Sequence, residues 1–315
     1  MYTFDYLKPE TLQEALHLLG RHGASARLVA GGTDVMVMIK KGEISPGVLV
    51  SMRGISGLDR LEFEDGILRI GATVTHRSVE RSETVRRHFS ALADAVDVLG
   101  TVQIRNVATI AGNICTAAPS ADTAPPLLVL GARIKVLGPE GERTIPVEDF
   151  FRGPGESALG SGDVVTEVCV PKPPPHTGSA YWKHKRRGAL DLPMLGVSVL
   201  LSLNTNRISC EDTVRTRSPV SSVFRALEKD ELVCSEAKIA LGVAGPIPMR
   251  ARNAEKLLRG RKLTEELMEQ VAETAAAEAQ PRDSIRGEAW YRREMIKVFV
   301  KRMSVTCIER IIHGR

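Results

Sequence analysis

Two short segments rich in small residues constrain the fold of this chain more than any other feature. Residues 28–34 read LVAGGTD, in which the apolar end of a strand leads into two glycines, a hydroxyl and a carboxylate before the apolar run Val35 to Ile39. A strand, a glycine-rich turn and a helix in that order are the usual geometry for holding a phosphate. The segment matches neither G-x-G-x-x-G nor G-x-x-x-x-G-K-[ST], so it is not one of the common nucleotide fingerprints.

The second segment runs from Thr101 to Leu130 and has three parts. A short alternating lead, VQI at 102–104, precedes the small-residue turn TIAGN at 109–113. A loop rich in Pro, Ser and Ala then carries Asp122 before the apolar run Pro126 to Leu130. Small residues let the backbone approach a ligand closely, and successive free N–H groups can bind a phosphate. Taken alone, the turn could equally be an ordinary connection between two strands. Two such turns in one chain could hold one pyrophosphate from both sides.

The combination resembles a known family. AGGTD at 30–34, QIRN at 103–106, TIAGN at 109–113 and PSAD at 119–122 are similar to the motifs of the FAD-binding medium subunits of the molybdenum hydroxylases. That family includes the flavin subunits of xanthine dehydrogenase, carbon monoxide dehydrogenase and 4-hydroxybenzoyl-CoA reductase. DSIRG at 283–287, followed by WYRR at 290–293, is typical of the family's C-terminal domain. The resemblance covers the whole chain except a polar segment at about 204–236, which we interpret as an insertion or an elongated hairpin.

The resemblance implies an α+β fold. A two-subdomain FAD-binding domain of the p-cresol methylhydroxylase type would be followed by a carbon monoxide dehydrogenase flavoprotein-type C-terminal domain, with a three-stranded antiparallel sheet and a three-helix bundle. The proline-rich run at 171–175 favours a stiff, extended segment that marks a boundary. We therefore predict an FAD-binding domain at 1–176, with subdomains at about 1–55 and 56–176, and a C-terminal domain at 177–315.

Local patterns predict elements compatible with that fold. The capping box TLQE begins a helix at Leu12, and Asp65-Gly66 is a strong hairpin turn. Near the C-terminus we predict strands at 178–185, 194–203 and 238–243, then helices at 254–258, 265–279 and 289–312.

The resemblance also implies a cofactor site. In the family the two glycine loops embrace the pyrophosphate and ribityl of FAD, and the aspartate of the PSAD loop accepts hydrogen bonds from the adenosine ribose or neighbouring polar groups. A lysine before an R-R stretch lies near the isoalloxazine; Lys183 is the candidate and Lys185 the alternative register, and either could instead be a solvated surface lysine. The expected cofactor-binding residues are Ala30, Gly31, Gly32, Thr33, Asp34, Thr109, Ala111, Gly112, Asn113, Asp122 and Lys183.

One position departs from the family pattern. Residue 111 is alanine where the family usually has glycine. If that residue needs a positive φ, alanine costs about 1 kcal/mol, whereas a requirement for small size alone costs little. The departure is compatible with FAD binding.

Composition narrows the class of function. The chain start, MYTFDYLKPE, lacks the pattern of a signal peptide, and no apolar run is long enough to span a membrane, so we expect a soluble, cytoplasmic protein. The five cysteines contain no C-x-x-C pair, which argues against a disulfide framework or an iron–sulfur cluster in this chain. The scattered histidines predict no metal site. The net charge of +5 suggests nucleic acid, but no nucleic-acid motif accompanies it, and the basic cluster at 183–187 is more simply a surface or subunit-contact patch.

No His/Glu/Tyr constellation suggests a general base over a flavin, so we assign no catalytic residue, and we see no covalent flavin anchor. The resemblance implies non-covalent FAD in an electron-transfer subunit. Its partners would be a small subunit with two two-iron clusters and a large molybdopterin subunit, in a heterotrimer or a dimer of heterotrimers. A stand-alone FAD-dependent oxidase or dehydrogenase of the same fold is the alternative. The organic substrate and the external acceptor are not encoded in these motifs.

Overall fold

A computed structural model describes residues 3–188, 190–205, 220–227 and 232–314. The chain forms two compact units, each assembled from several stretches of sequence. The first unit comprises Met1–Arg81, Gly100–Ala118 and Gly131–Pro171, and the second comprises Ser82–Leu99, Pro119–Leu130 and Lys172–Arg315. The sequential domains at 1–176 and 177–315 stay a prediction. The two units are divided differently, since Ser82–Leu99 and Pro119–Leu130 belong to the second unit.

The first unit begins with a parallel sheet of three strands in the order β1-β3-β2. Its strands are β1 (Asp5–Leu7), β2 (Ala26–Val29) and β3 (Val48–Ser51), connected by helices α1 (Leu12–His22) and α2 (Val35–Lys41). The predicted cap of α1 is confirmed, since the Thr11 hydroxyl accepts a hydrogen bond from the N–H of Glu14 at 3.1 Å. The Glu14 carboxylate accepts from the N–H of Glu10 at 2.8 Å, one residue earlier than a capping box predicts.

A second sheet of five antiparallel strands completes most of the first unit. In spatial order the strands are β4 (Leu61–Glu64), β5 (Ile67–Gly71), β10 (Val164–Pro171), β6 (Arg133–Gly138) and β7 (Gly141–Pro146). A small pair, β8 (Phe151–Gly153) and β9 (Glu156–Ser157), lies beside the chain leading to β10. The predicted β4–β5 hairpin is confirmed, and both turn residues have positive φ, 51° at Asp65 and 73° at Gly66.

Two short helices of the first unit, α6 (Val102–Arg105) and α7 (Ile110–Cys115), carry the first part of the second motif segment. A third, α3 (His76–Arg81), contacts α6. The prediction of an alternating lead at 102–104 is wrong, because these residues are helical. The Thr101 hydroxyl caps α6 by accepting from the N–H of Ile104 at 3.3 Å. The Arg105 Nε donates to Glu80 of α3 at 2.9 Å, so a cap and a long-range ion pair decide the conformation.

The core of the second unit is an antiparallel sheet in the order β11-β12-β13-β14. Its strands are β11 (Thr177–His184), β12 (Leu195–Leu203), β13 (Cys234–Gly242) and β14 (Met249–Arg250). The three predicted strands are confirmed, with the third beginning earlier than expected at Cys234. The fourth strand was not predicted, because two residues are too few to show an alternating pattern in the sequence.

Helices cover both faces of this sheet. The first group is α9 (Val220–Leu227), α10 (Arg252–Leu258), α11 (Glu265–Glu278) and α12 (Ala289–His313), which share one apolar core with the sheet. The second group is α4 (Glu83–His88), α5 (Ser90–Val98) and α8 (Ala124–Leu130). The predicted three-helix bundle is confirmed as α10, α11 and α12. Helix α9 lies in the segment predicted as an insertion, of which 206–219 and 228–231 lie outside the described residues. Within the described ranges, none of the helices has both the length and the apolar character needed to cross a membrane.

Candidate cofactor site

The glycine loop at 30–34 lies at the carboxyl end of strand β2, directly against the loop that precedes α7. A Cβ built on Gly31 would lie 2.3 Å from the carbonyl oxygen of Val107 and 2.7 Å from the Cα of Ala108. Real Cβ atoms do not approach backbone so closely, so only glycine fits at position 31. Gly32 has a φ of 75°, the left-handed region in which other residues are strained. The structure therefore brings the two predicted glycine turns together.

Arg53 ties these two loops to each other. Its Nε donates to the carbonyl oxygen of Ala30 at 3.1 Å, and its Nη2 donates to that of Val107 at 3.4 Å. The guanidinium places a positive charge where both glycine turns meet. Sequence reasoning missed Arg53, although a signal was present, since it lies two residues after the buried strand β3, at the same sheet edge as the glycine loop.

A hydroxyl joins the first loop to helix α7. The Oγ1 of Thr116 lies 3.0 Å from the Oδ2 of Asp34 and 3.0 Å from the carbonyl oxygen of Gly112. Asp34 precedes α2, but its side chain accepts no hydrogen bond from the N–H groups at the beginning of that helix. In the first turn the N–H of Met36 donates instead to the carbonyl oxygen of Gly32 at 3.0 Å.

Helix α7 carries the TIAGN residues. The Thr109 hydroxyl caps the helix by accepting from the N–H of Gly112 at 3.0 Å, and the N–H of Asn113 donates to the carbonyl oxygen of Thr109 at 3.0 Å. Ala111 lies inside the helix and is not among the residues with positive φ. The strain considered for an alanine at this position therefore does not arise.

The arginine of the QIRN motif has a structural role. Arg105 is buried and shares the Glu80 carboxylate with Arg77, whose Nη1 donates at 2.8 Å. Burial alone would raise the pKa of Glu80, but the hydrogen bonds from the two arginines outweigh it and lower that pKa. This charged cluster fixes α6 against α3 and so supports the loop that faces Gly31.

His76 lies beside the same loop. Its backbone N–H donates to the carbonyl oxygen of Ala108 at 2.9 Å. Its side chain is fully buried, and neither ring nitrogen has a hydrogen-bond partner in the described part of the chain. Burial, with a smaller contribution from the nearby Arg105 charge, lowers the pKa of His76 to about 3. The ring is neutral at physiological pH.

The remaining two predicted residues form a buried ion pair in the second unit. The Nζ of Lys183 lies 2.7 Å from the Oδ2 of Asp122, and the side chains are 2% and 6% exposed. The hydroxyl of Tyr181 donates to the Oδ1 of Asp122 at 2.8 Å. Burial raises the pKa of Asp122, against the opposing effect of Lys183 and Tyr181.

The ion pair decides whether Lys183 is a surface residue. The interpretation of Lys183 as a solvated surface lysine is wrong, because the side chain is buried. The alternative candidate, Lys185, is only partly buried and donates to the carbonyl oxygen of Gly188 at 2.8 Å. Sequence reasoning missed Tyr181, whose signal is its position two residues before Lys183, which places both side chains on one face of β11. The structure thus groups the loop at 30–34 and residues 109–113, the beginning of α7, in the first unit, and Asp122 with Lys183 in the second.

The fold and these loops define a class, the flavin-binding subunits of molybdopterin-dependent oxidoreductases. The family described as "FAD binding domain in molybdopterin dehydrogenase" matches residues 2–173, and "CO dehydrogenase flavoprotein C-terminal domain" matches residues 218–306. Because the first match covers more than half of the sequence, the chain belongs to this family.

Similarity to individual proteins of this family agrees with that assignment. The chain is 30% identical over 306 residues to a xanthine dehydrogenase FAD-binding subunit of Escherichia coli O157:H7, covering 96% of each chain. It is 29% identical over 299 residues to a carbon monoxide dehydrogenase medium chain of Hydrogenophaga pseudoflava, covering 95% of each. A solved structure of carbon monoxide dehydrogenase from that organism superposes with a TM-score of 0.84 over 97% of this chain and 98% of the other. These relatives are dehydrogenase subunits, and this chain is likewise an oxidoreductase subunit.

Proposed function

We propose that this chain is the FAD-carrying electron-transfer subunit of a multi-subunit molybdenum hydroxylase. It would pass electrons between the iron–sulfur clusters of a partner subunit and an external acceptor. The observation that carries the proposal is the packing of Gly31 against the backbone of Val107 and Ala108, which joins the two glycine turns into one cradle lined by backbone.

The donor set of the cradle fits the pyrophosphate of FAD. Backbone N–H groups before α2, the hydroxyls of Thr33 and Thr109, and the guanidinium of Arg53 supply donors and one positive charge. The small residues Ala30, Gly32 and Ala111 leave room for the ligand to approach the backbone. Asp34 faces Thr116, which engages its carboxylate.

Asp122 and Lys183 stay proposed cofactor residues of the second unit. Their mutual ion pair, with Tyr181 as third member, fixes the position of an ammonium and a carboxylate without exposing either to water. FAD, when bound, exchanges either one or two electrons, which suits a subunit between one-electron clusters and a two-electron acceptor. The chain's own residues bind and orient that group.

The partners follow from the relatives, which are named as medium chains or FAD-binding subunits of dehydrogenases. We propose a small subunit with two two-iron clusters and a large molybdopterin subunit, most simply one of each per flavin chain. The organic substrate would bind in the large subunit.

Purification of the chain from its native host tests the proposal. We expect one FAD per chain, iron and molybdenum in the preparation, and two further subunits. Acid precipitation should release all the yellow colour into the supernatant, because binding is non-covalent. A lone flavoprotein without iron or molybdenum that oxidises an alcohol or aldehyde would refute this function and establish the stand-alone oxidase.

A further inference from the structure

The turn that follows strand β13 contains a strained residue. Val243 has a φ of 60°, a region in which a β-branched side chain is an outlier, because its Cβ crowds the following carbonyl oxygen. Such a conformation persists only where the surrounding structure holds it. The next residue, Ala244, is fully buried, and its carbonyl oxygen accepts from the N–H of Gln280 at 2.7 Å. The turn is therefore anchored from the side of the helices.

The other side of this turn contacts the loop that carries Asp122. Pairing between β12 and β13 ends at Gly196 and Gly242. Beyond that pair the N–H of Val243 donates not to a neighbouring strand but to the carbonyl oxygen of Pro119, at 3.1 Å. Pro119 is the first residue of the PSAD loop. The turn thus joins the end of the sheet to the loop by a backbone hydrogen bond.

Close packing at Gly242 supports the same loop. A Cβ built on Gly242 would lie 3.0 Å from the Cγ of Pro125 and 3.8 Å from the carbonyl oxygen of Pro119. Gly242 is not among the glycines with positive φ, so its backbone conformation is open to other residues. The absence of a side chain is what lets the two prolines, which lie on either side of Asp122 in the sequence, pack on the end of β13.

The neighbouring strand makes room for the partners of Asp122. Gly196 of β12 is paired with Lys183 on one side and with Gly242 on the other, and directly paired residues share one face of a sheet. A Cβ on Gly196 would lie 3.0 Å from the hydroxyl oxygen of Tyr181, which donates to Asp122. The two glycines therefore leave space on the face where the ion pair forms.

We propose that the Gly242–Val243 turn positions the PSAD loop, so that Asp122 is held against Lys183 and Tyr181 before FAD binds; the link to FAD rests on the proposed function. Gly242 and Val243 are positioning residues, which act on the cofactor site through Asp122. A loop that is already in its bound conformation loses less conformational freedom on binding, and the affinity for the ligand is higher for that reason.

The test compares variants of this turn in the full-length chain. In Gly242→Ala the new methyl group presses on Pro125. Val243→Pro fixes φ near −65° and removes the N–H that donates to Pro119, whereas the conservative Val243→Gly adopts the observed φ without strain. Gly245→Ala is the matched control, because a Cβ at that position of the same turn makes only ordinary contacts, the nearest at 3.6 Å.

Two measurements separate the position of the loop from its role in binding. Acylation of lysine amines in the FAD-free chain, located by mass spectrometry, reports whether Lys183 stays buried against Asp122, and the partly buried Lys185 is the internal reference. Flavin fluorescence titration gives the Kd for FAD. Thermal unfolding verifies that each variant folds, and Gly242→Ala alone decides the outcome if Val243→Pro does not fold.

We expect Gly242→Ala and Val243→Pro to raise both the acylation rate of Lys183 and the Kd for FAD by about tenfold or more. Val243→Gly and Gly245→Ala should change either quantity by less than about twofold. Unchanged acylation in the folded variants would overturn the positioning of Asp122 by this turn. Faster acylation with unchanged FAD affinity would overturn its role in cofactor binding. If the unmodified chain binds no FAD, the proposed function fails, while acylation still decides whether the turn positions Asp122.

Discussion

The two groups of candidate cofactor residues, one in each unit, are built on opposite principles. In the first unit, the cradle of loops 30–34 and 106–113 is almost all backbone and small side chains, and its close contact depends on the absence of a Cβ at Gly31. In the second unit, Asp122 and Lys183 are full charges held together inside the protein. One part is sensitive to volume and backbone conformation, and the other to charge.

The difference explains what local sequence can and cannot indicate. Glycine requirements appear as short contiguous motifs, because the residues that form a turn are neighbours in the chain. Asp122 and Lys183 were each expected from the resemblance, but no local pattern encodes the ion pair between them. The cradle should therefore fail when atoms are added, and the pair should fail when one charge is removed.

Removal of the Lys183 ammonium should have the largest effect on stability. Lys183→Met leaves the Asp122 carboxylate buried without its cation, and breaking a buried pair in this way costs about 3–5 kcal/mol. Urea unfolding of the FAD-free chain measures this cost. The exposed Lys256→Met in α10 is the control and should change stability by less than about 0.5 kcal/mol.

The double variant Asp122→Asn/Lys183→Met sharpens the result. It removes both charges, so it should be more stable than Lys183→Met alone. Equal stability of the two variants would show that the pair contributes packing rather than charge compensation, and the contrast between the two parts would fail.

Addition of one methyl group should damage the cradle. In Gly31→Ala the new Cβ would collide with the carbonyl oxygen of Val107, so the two loops must separate. We expect a loss of about 1–3 kcal/mol in the free energy of unfolding and loss of FAD from the purified protein. Gly20→Ala is the control, since a Cβ at this position in the last turn of α1 meets no atom within 4 Å, and it should retain FAD and gain up to about 1 kcal/mol. Stoichiometric FAD in Gly31→Ala would show that the loops do not need to touch.

Acid should add a positive charge to the buried ring of His76 beside the cradle loop. The unfolded chain binds a proton at His76 near its ordinary pKa of 6.5, whereas burial holds the folded value at about 3. Below pH 6.5 the unfolded state therefore binds more protons, and stability falls as the pH decreases. The expected loss is about 1.4 kcal/mol per pH unit, or roughly 2 kcal/mol between pH 6.5 and 5.

Denaturant unfolding at several pH values measures that slope. His76→Leu should flatten it by the contribution of one proton, and the exposed His17→Leu should leave it as in the unmodified chain. A slope that persists in His76→Leu would mean that another group titrates in this window.

The fold class and the order of elements could be predicted because the signals are local. Thr11 before α1, the Asp65-Gly66 turn and Gly42 after α2 each mark an end of an element by the chemistry of neighbouring residues. The same holds for the glycine loops. Their positions could be predicted from the sequence, together with the family that uses them.

What could not be predicted depends on residues far apart in the chain. Helix α6 replaced an expected alternating segment because Arg105 pairs with Glu80, and Arg53 joined the site through the carbonyl groups of Ala30 and Val107. The helices at 83–98 and 124–130 join the second unit through contacts with β11 to β13 that no local pattern encodes. The burial of Lys183 also depends on a residue far away in the chain, since it pairs with Asp122.

The smallest expected effect separates backbone strain from ligand contact. Gly32 and Gly42 lie on either side of α2 with nearly the same positive φ, 75° and 73°. Alanine at either position should therefore cost about 1 kcal/mol of stability for the same conformational reason. Neither new Cβ meets severe crowding, since the nearest atom to Gly32 is the Cγ2 of Val29 at 3.4 Å and nothing lies within 4 Å of Gly42. If the backbone at Gly32 contacts FAD, Gly32→Ala should lower FAD affinity and the bulkier Gly32→Val should abolish it, while Gly42→Ala retains normal affinity. Flavin fluorescence titration of the three variants measures this, and equal FAD affinity in Gly32→Ala and Gly42→Ala would assign Gly32 to the turn alone.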